Sequence, residues 1–218
     1  MLFTNRQTET RLSVFLGTEQ IREQDECVFL GVKIDNKLKF QSHIKSVHSK
    51  ISKSIGILFK LSSIFPLNIL NFMYYSLIYP YFHYCNINWG GAYQTHIKPL
   101  IILQKRVIRI LSGEPYLAHT NNLFYQQSIL KFTDINKYLI ALYTFKNFDK
   151  FESFSNHNYS TRGKFLLRPK FQRTNITQQS ITYRGPKIWN ALPESIRSIR
   201  TLPAFKFNLR RLFLSQYH

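Results

Sequence analysis

The spacing of apolar residues along the chain changes near residue 36. Before that point, apolar runs at residues 1–5, 11–17 and 27–35 are short, partly alternating and separated by polar clusters, which is typical of β-strands. We predict two or three antiparallel strands in this segment. From residue 41 to residue 61, apolar residues recur every three or four positions, which predicts an amphipathic helix, and further helical segments follow. The pattern therefore indicates a mainly α-helical fold with a small N-terminal antiparallel β segment.

The helical part divides at proline, glycine and polar residues. The predicted helices run over residues 41–61, from 66 to about 79, from 95 to 112, over 121–131 and 134–148, and from 203 onward. The predicted inner stripes are Ile44, Val47, Ile51, Ile55 and Leu58 in the first helix, Leu70, Met73, Leu77 and Tyr81 in the second, and Leu100, Leu103, Val107 and Leu111 in the third. We expect Pro80 to kink or end the second helix. Residues 151–180 predict a basic, extended linker with one short strand, and residues 181–193 predict a strand that runs into a turn.

One stretch, residues 74–90, contains seven aromatic residues and no Lys, Arg, Asp or Glu. It does not fit a membrane span, because a spanning helix needs about 20 predominantly apolar residues, and His83, Asn86 and Asn88 interrupt this one. We predict that its large side chains form core, since burial is where aromatic rings contribute most. The alternative for Tyr75, Tyr79, Tyr81 and Phe82 is a platform on which bases stack.

Positive charge dominates the chain after residue 35. The full sequence holds 30 Lys and Arg against 11 Asp and Glu, a formal net charge of +19, whereas residues 1–35 hold four basic and six acidic side chains. Such an excess indicates a polyanionic partner, either nucleic acid or an anionic membrane surface. We expect nucleic acid and no membrane, because the apolar stripes of the basic helices are needed for packing on one another.

Residues suited to catalysis or metal binding are sparse. Cys27 and Cys85 stand far apart and neither has a partner at zinc-ligand spacing, so we expect two buried thiols in a reducing compartment. No GxxxxGK[ST], HExxH or GxSxG motif is present, and no two Asp residues are adjacent. We therefore predict no metal site, no site for a small-molecule substrate and no complete catalytic site in this chain.

Seven stretches, taken in their order along the chain, carry a resemblance to a known family. They are FLGVKIDNKLKFQSHI (29–44), ISKSIGILFKL (51–61), YYSLIYPYFHYCNINWG (74–90), LQKRVIRIL (103–111), AHTNNLF (118–124), NYSTRGK (158–164) and YRGPKIWNALPESI (183–196). This series resembles the C-terminal part of the reverse transcriptases encoded by non-LTR retrotransposons of the jockey-like and related groups.

The resemblance implies three parts. Residues 1–35 would be the end of the polymerase palm, with Phe29, Leu30 and Gly31 as primer-grip-like residues. Residues 36–150 would be the helical thumb that holds the template–primer duplex. Residues 151–218 would be a basic linker and a loosely structured C-terminal extension. The implied partners are RNA and DNA, and the implied location is the nucleus or the cytoplasm rather than the secretory route.

The catalytic carboxylates of that family have no counterpart in this sequence. In the family they lie in a Tyr/Phe-x-Asp-Asp turn and in an earlier palm strand, both upstream of the part that matches residue 1. The resemblance therefore transfers no catalytic residue, and we expect a fragment that is inactive alone. A complete parent enzyme would need Mg²⁺ and deoxynucleoside triphosphates, but no cofactor is expected in this chain.

Eleven basic residues are the candidates for contact with a phosphate backbone. The first group is Lys45, Lys53, Lys60, Lys98, Lys105, Arg106 and Arg109, and the second is Arg162, Lys164, Arg168 and Arg184. Basic residues interleaved with aromatic ones suit a groove that follows a nucleic acid. For any one helix, the alternative is an ordinary solvated face. The alternative function is a non-catalytic nucleic-acid-binding protein derived from such an element.

Overall fold

The computed structural model describes residues 3, 13–21, 23–153 and 166–217 of the 218-residue chain. Two antiparallel β-hairpins come first and helices follow. The strands are β1 (Val14–Leu16), β2 (Glu19–Ile21), β3 (Glu26–Phe29) and β4 (Val32–Asp35). The helices are α1 (Gln41–Leu61), α2 (Leu67–Leu77), α3 (Tyr79–His83), α4 (Asn86–Trp89), α5 (Gln94–Ser112), α6 (Asn121–Gln126), α7 (Phe132–Lys146), α8 (Asn175–Gln178), α9 (Ile181–Asn190), α10 (Glu194–Arg197) and α11 (Leu202–Ser215). The predicted mainly helical fold with a small antiparallel β segment is confirmed.

The two or three strands predicted before residue 36 are corrected to four within the described residues, because Glu26–Asp35 forms a hairpin of two strands. Phe29 pairs with Val32, and Leu30 and Gly31 form a two-residue turn between them. Both turn residues have positive φ angles, 46° and 78°, as a type I′ hairpin turn requires. Gly31 adopts this conformation without strain, whereas Leu30 does not, because its Cβ crowds the backbone there. Of the strand predicted over residues 1–5, Phe3 alone belongs to the described residues.

Asp35 fixes the loop that leads from the hairpin into α1. Its carboxylate accepts hydrogen bonds from the backbone N–H groups of Lys37 at 3.1 Å, Lys39 at 2.9 Å and Phe40 at 2.6 Å. Leu38 and Phe40 have left-handed φ angles of 51° and 55°, and these hydrogen bonds hold that unusual conformation. α1 then buries the predicted stripe, which consists of Ile44, Val47, Ile51, Ile55 and Leu58.

The aromatic stretch forms a packed corner, but its inner face differs from the predicted one. The buried apolar side chains from residue 70 to residue 90 are Leu70, Tyr74, Ile78, Phe82 and Trp89. The predicted inner position Leu77 is wrong, since it is 38% exposed; Met73 and Tyr81 only partly contact the core. Nearly every position from 69 to 82 is apolar or aromatic, so the spacing does not single out one face. The predicted break at Pro80 is confirmed, because α2 ends at Leu77 and Pro80 lies in the first turn of α3.

α5 and α7 lie at the centre of the core. α5 has the predicted bounds within one residue and buries the predicted Leu100, Leu103, Val107 and Leu111. Its Gln104 is buried and fixes the start of α7: the amide nitrogen donates to the Leu130 carbonyl at 2.9 Å, and the amide oxygen accepts from the Phe132 N–H at 2.7 Å. Phe82 and Trp89 pack on the Phe132 ring, with centroids 5.6 and 5.7 Å away.

The C-terminal helices join the same core. Trp189 of α9 stacks on Phe205 of α11 with ring centroids 5.6 Å apart, and Phe205 stacks on Phe145 of α7 at 4.4 Å. The strand predicted over residues 181–193 is wrong: residues 181–190 are helical, and Gly185, Pro186 and Trp189 are buried against α7. This part is thus more ordered than the loose extension expected. The division of the chain into three parts stays a prediction.

Candidate nucleic-acid interface

A row of lysines runs along the solvent side of α1. Lys45, Lys53 and Lys60 are all exposed. At about 100° per residue they fall within an arc of about 80°, on the side opposite the buried stripe. The row is about 22 Å long at about 1.5 Å per residue. α1 contains no acidic residue, so no carboxylate on the same helix neutralises it.

α5 carries a second basic row on its solvent side. Lys98 and Lys105 are exposed and lie two helical turns apart, and Arg106 is exposed beside them. This helix also contains no acidic residue. α1 and α5 pack directly against each other, so the two rows belong to neighbouring helices.

Arg109, the fourth candidate on α5, contacts other residues of the chain instead of extending into solvent. Its Nε donates to the Ala118 carbonyl at 2.9 Å, and its guanidinium lies 5.8 Å from the centre of the Tyr116 ring. The side chain is partly buried. We conclude that Arg109 ties the loop after α5 back to the helix, a role that its place in the basic row did not predict.

Lys131 belongs near this surface although sequence reasoning missed it. Its ammonium lies 4.0 Å from the centre of the Tyr217 ring and 6.0 Å from that of Phe124. Partial burial lowers the pKa of Lys131, and the positive charge of Lys105 lowers it further, while Asp134 opposes the shift. The two lysines are therefore close in space. No local signal marks Lys131, because its neighbours come from α5, from α6 and from the end of the chain.

A cleft of about 640 Å³ separates the second hairpin from α1 and α3. The residues that line it are Val28, Leu30, Gly31, Lys33, His43, Ser46, Val47, Lys50, Pro80, Tyr81 and Tyr84. Two of the three primer-grip-like residues, Leu30 and Gly31, thus line the cleft, whereas Phe29 does not and is 63% exposed. The Tyr84 hydroxyl donates to the Leu30 carbonyl at 2.6 Å and so ties the hairpin turn to the helical part.

Cations and aromatic rings share this cleft, and none of the residues lining it is acidic. The Lys50 ammonium lies 5.7 Å from the centre of the Tyr81 ring. Burial lowers the pKa of His43, and the charges of Lys50 and Lys33 lower it further. His43 Nδ1 accepts a hydrogen bond from the Lys33 N–H at 3.4 Å, which fits the neutral ring. Lys53, one turn along α1 from Lys50, connects the cleft with the lysine row.

Two of the four residues in the second predicted basic group, Arg168 and Arg184, belong to the described part of the chain. Arg162 and Lys164 lie outside the described residues. Arg168 is exposed, next to the buried Leu167. Arg184 is partly buried and donates through Nη2 to the Asn136 Oδ1. The assignment of Arg184 to nucleic-acid contact stays a prediction, and the packing of α9 on α7 holds its side chain partly inward.

Within the described residues, no group of three or more His, Cys, Asp or Glu side chains could hold a metal ion. Both carboxylate oxygens of Asp35 accept hydrogen bonds from backbone N–H groups. Asp134 is buried and accepts from the Tyr217 hydroxyl at 2.7 Å and from Lys137 at 3.1 Å. No helix in the described part of the chain is long and apolar enough to cross a membrane. The described surface thus offers cations and rings for binding.

Two known proteins resemble this chain in sequence. The RNA-directed DNA polymerase from mobile element jockey of Drosophila melanogaster is 29% identical over 126 residues, which is 56% of this chain and 13% of that protein. The probable RNA-directed DNA polymerase from transposon X-element of Drosophila melanogaster is 26% identical over 131 residues, which is 57% of this chain and 14% of that protein. The chain is related to the reverse transcriptases of non-LTR retrotransposons. The resemblance inferred from the seven sequence stretches is thereby confirmed.

The match with these reverse transcriptases is limited in extent. It spans about one seventh of the length of the two relatives. No protein-family model matches the chain, and no solved structure matches it. The relationship therefore rests on sequence, and the roles of individual residues rest on the geometry described above.

Proposed function

We propose that this chain is the duplex-holding part of a non-LTR retrotransposon RNA-directed DNA polymerase. In this proposal α1 to α7 are the thumb, and the second hairpin is the primer grip at the end of the palm. The observation that carries the proposal is the exposed row of Lys45, Lys53 and Lys60, on a helix without acidic residues and directly opposite its buried stripe. The related proteins are RNA-directed DNA polymerases, and this relationship favours a nucleic acid as the polyanion that the row binds.

The dimensions of the α1 row suit a nucleic-acid strand. Each strand of a duplex carries a phosphate about every 3.4 Å along the axis, so a row of about 22 Å lies beside about six phosphates of one strand. Three lysines spaced by two turns neutralise a part of this charge and release the corresponding counterions. Since the α5 row adds Lys98, Lys105 and Arg106, the proposal assigns about six ionic contacts to the surface.

The cleft beside the hairpin suits the end of a primer. Tyr81 and Tyr84 offer ring surface for a terminal base, and Lys33 and Lys50 supply positive charge for its phosphate. The Tyr84 hydrogen bond to Leu30 keeps the hairpin at a fixed distance from the helices. The proposal gives this cleft a positioning role and assigns it no chemistry.

We assign the catalytic step to residues outside this chain. Polymerases of this kind hold two metal ions with carboxylates, and the described residues contain no such group. Mg²⁺ and deoxynucleoside triphosphates would therefore act on the parts of a complete polymerase that carry those carboxylates. We expect the isolated chain to bind a template–primer duplex without extending it.

The test is the salt dependence of duplex binding. An RNA–DNA template–primer with a fluorescent end is titrated with the purified chain at several salt concentrations, and anisotropy reports binding. Six phosphate contacts predict that log K falls with log[salt] with a slope of about −4 to −5. A peptide–nucleic-acid duplex of the same sequence, which lacks phosphates, is the control and should not bind. A slope near zero for the RNA–DNA duplex would refute the proposal.

A second function is supported by a different observation. Buried residues from Val32 to Tyr217 form one hydrophobic cluster, so the chain has the core that a self-sufficient nucleic-acid-binding protein requires. Against it, Phe15, Leu16 and Phe29 of the hairpins are each more than half exposed, as expected for strands that pack on further protein. Sedimentation and thermal melting distinguish the two: a monodisperse chain that melts cooperatively favours a separate binding protein, and aggregation through the hairpins favours a polymerase part.

A further inference from the structure

A second cavity, of about 520 Å³, opens between the start of α5, α7 and the helices α8 and α9. Lys137, Arg184 and Lys187 line it, and none of its lining residues is acidic. Gln178 and Gln179 also line it, and the side-chain amide of Gln178 donates to the Gln172 carbonyl at 3.0 Å. The cavity shares no lining residue with the hairpin cleft, and it uses none of the α1 lysines.

Arg184 brings to this cavity a positive charge without a counter-charge. Nη2 donates to Asn136 Oδ1, while Nη1 is buried against Gly91 and has no hydrogen-bond partner. Buried cations are normally paired with a carboxylate, because desolvation is otherwise costly. In the described part of the chain the ion pairs join Lys137 to Asp134 and Lys170 to Glu152, and neither includes Arg184. Burial lowers the pKa of Arg184.

A chain of buried amides fixes the direction of the Arg184 side chain. Asn86 Nδ2 donates to the Phe82 carbonyl at 2.7 Å. Asn136 Nδ2 in turn donates to the carbonyl and to the side-chain oxygen of Asn86, both at 2.8 Å. These bonds orient the remaining Asn136 oxygen toward Arg184. Gly91 leaves room for the guanidinium, since a Cβ at that position would overlap it. Arg184 is therefore preorganised rather than free to turn into solvent.

Lys187 lies one turn beyond Arg184 on α9 and is exposed. Its ammonium is 5.8 Å from the centre of the Tyr183 ring, and Tyr183 also lines the cavity. Lys137 contributes less, because its ammonium is already paired with Asp134 at 3.1 Å. The first turn of α5, at the rim of the cavity, contains no acidic residue, so the positive end of the helix dipole is uncompensated there.

The geometry points to a phosphate-binding site in this cavity, with Lys187 as its direct ligand and the Arg184 guanidinium as a fixed positive charge in its wall. An exposed ammonium donates to phosphate oxygens through charge-assisted hydrogen bonds, and a guanidinium charge in the same wall, with no carboxylate lining the cavity, favours the anion further. The volume lies in the range of small-ligand sites. Two sources offer this chemistry: a small phosphorylated molecule, or a backbone phosphate of a nucleic acid. The site does not depend on the duplex-holding role proposed above.

The experiment uses the full chain labelled with ¹⁵N, and follows the backbone amide signals of Gly91, Gln94 and Lys187. One arm adds sodium phosphate at constant ionic strength, with sodium chloride as the balancing salt. The other arm adds a short single-stranded DNA without a terminal phosphate. Lys187→Gln is the test variant, and Lys150→Gln is the control because it removes the same charge from an exposed site that does not line the cavity. Arg184→Lys keeps the charge and removes the planar fork.

We expect saturable shifts of the three signals, and a loss of affinity of about tenfold in Lys187→Gln against less than about twofold in Lys150→Gln. Shifts with sodium phosphate identify a site for small phosphorylated molecules. Shifts with DNA alone identify a site for a backbone phosphate. Absence of saturable shifts in both arms overturns the inference, and so does an equal loss of affinity in the two lysine variants. Arg184→Lys should weaken binding while leaving signals remote from the cavity in place.

Discussion

The loop that joins the second hairpin to α1 depends on one carboxylate, and replacing it should cost much of the chain's stability. Asp35 accepts three backbone N–H bonds between 2.6 and 3.1 Å. A hydrogen bond to a charged acceptor contributes about 1.5–3 kcal/mol. Asp35 is partly exposed, so in the variant hydrogen bonds from water to the freed N–H groups recover a part of this free energy. We expect Asp35→Ala to lower the free energy of unfolding by about 2–4 kcal/mol.

The assay is urea unfolding followed by circular dichroism, with thermal melting as a second measure. The loss corresponds to a fall in Tm of roughly 5–15 °C for a chain of this size. Asp25→Ala is the matched control, because it removes the same charge at the start of the same hairpin. The Asp25 carboxylate accepts one exposed side-chain hydrogen bond, from the Asn36 amide nitrogen at 2.8 Å. We expect less than about 1 kcal/mol for the control. Asp35→Asn, which keeps one acceptor oxygen, should lie between the two. Equal stability of the two alanine variants would refute this reasoning.

Three further changes test the core and the buried polar groups. Gln104→Ala removes two buried hydrogen bonds to backbone and should lower the free energy of unfolding by about 3–5 kcal/mol in urea titrations; a loss below about 1 kcal/mol would contradict the buried geometry. Gly90→Ala places a methyl group where it overlaps the Asn86 oxygen atoms and the Asn136 amide nitrogen. We expect a lower Tm without loss of the helical circular-dichroism signal. An unchanged Tm would contradict this packing. The pKa of His43 is lowered in the folded chain, so near and below about pH 6.5 the unfolded state binds more protons than the folded state. The free energy of unfolding therefore decreases as the pH decreases. Between pH 7 and pH 5 the free energy of unfolding should therefore decrease less in His43→Gln than in the native chain. Equal decreases in the two chains would show that His43 does not contribute to the pH dependence of stability.

Regular amphipathic helices were predictable from the sequence because one residue spacing determines both their existence and their buried face. α1 shows this best, since polar residues separate its apolar positions and leave one possible stripe. The segment from 69 to 82 shows the limit, because apolar and aromatic residues occupy nearly all sides of α2 and α3. There the packing partners select Tyr74, Ile78 and Phe82 as the inner positions.

The additional strand in residues 27–35 and the wrong strand assignment at residues 181–193 have separate physical causes. In residues 27–35 the run of β-forming residues hides a turn at Leu30, a residue type seldom found with positive φ. In residues 181–190 the β-branched and aromatic residues favour a strand locally, but a helix buries Trp189 between Phe148, Phe145 and Phe205. Tertiary burial outweighs the local preference, which is small for each residue.

The candidate site was predictable only in its local parts. The exposed lysines of α1 follow from helical spacing, and the hairpin residues follow from the resemblance to reverse transcriptases. The positions of Arg184 and Lys131 depend on contacts between distant parts of the chain, with Asn136 for the first and Tyr217 for the second. Such contacts leave no spacing in the sequence, so the inward position of Arg184 needed the structure.

The most direct test of the duplex-holding role compares two triple variants with equal change in charge. Lys45, Lys53 and Lys60 are replaced by Gln in the first, and the exposed Lys146, Lys150 and Lys206 in the second. Binding of an RNA–DNA template–primer is measured over a series of salt concentrations. Loss of three phosphate contacts should reduce the steepness of the log K against log[salt] line by about 2–3 in the first variant and leave it nearly unchanged in the second. Equal slopes in both variants would contradict the assignment of the α1 row to the duplex.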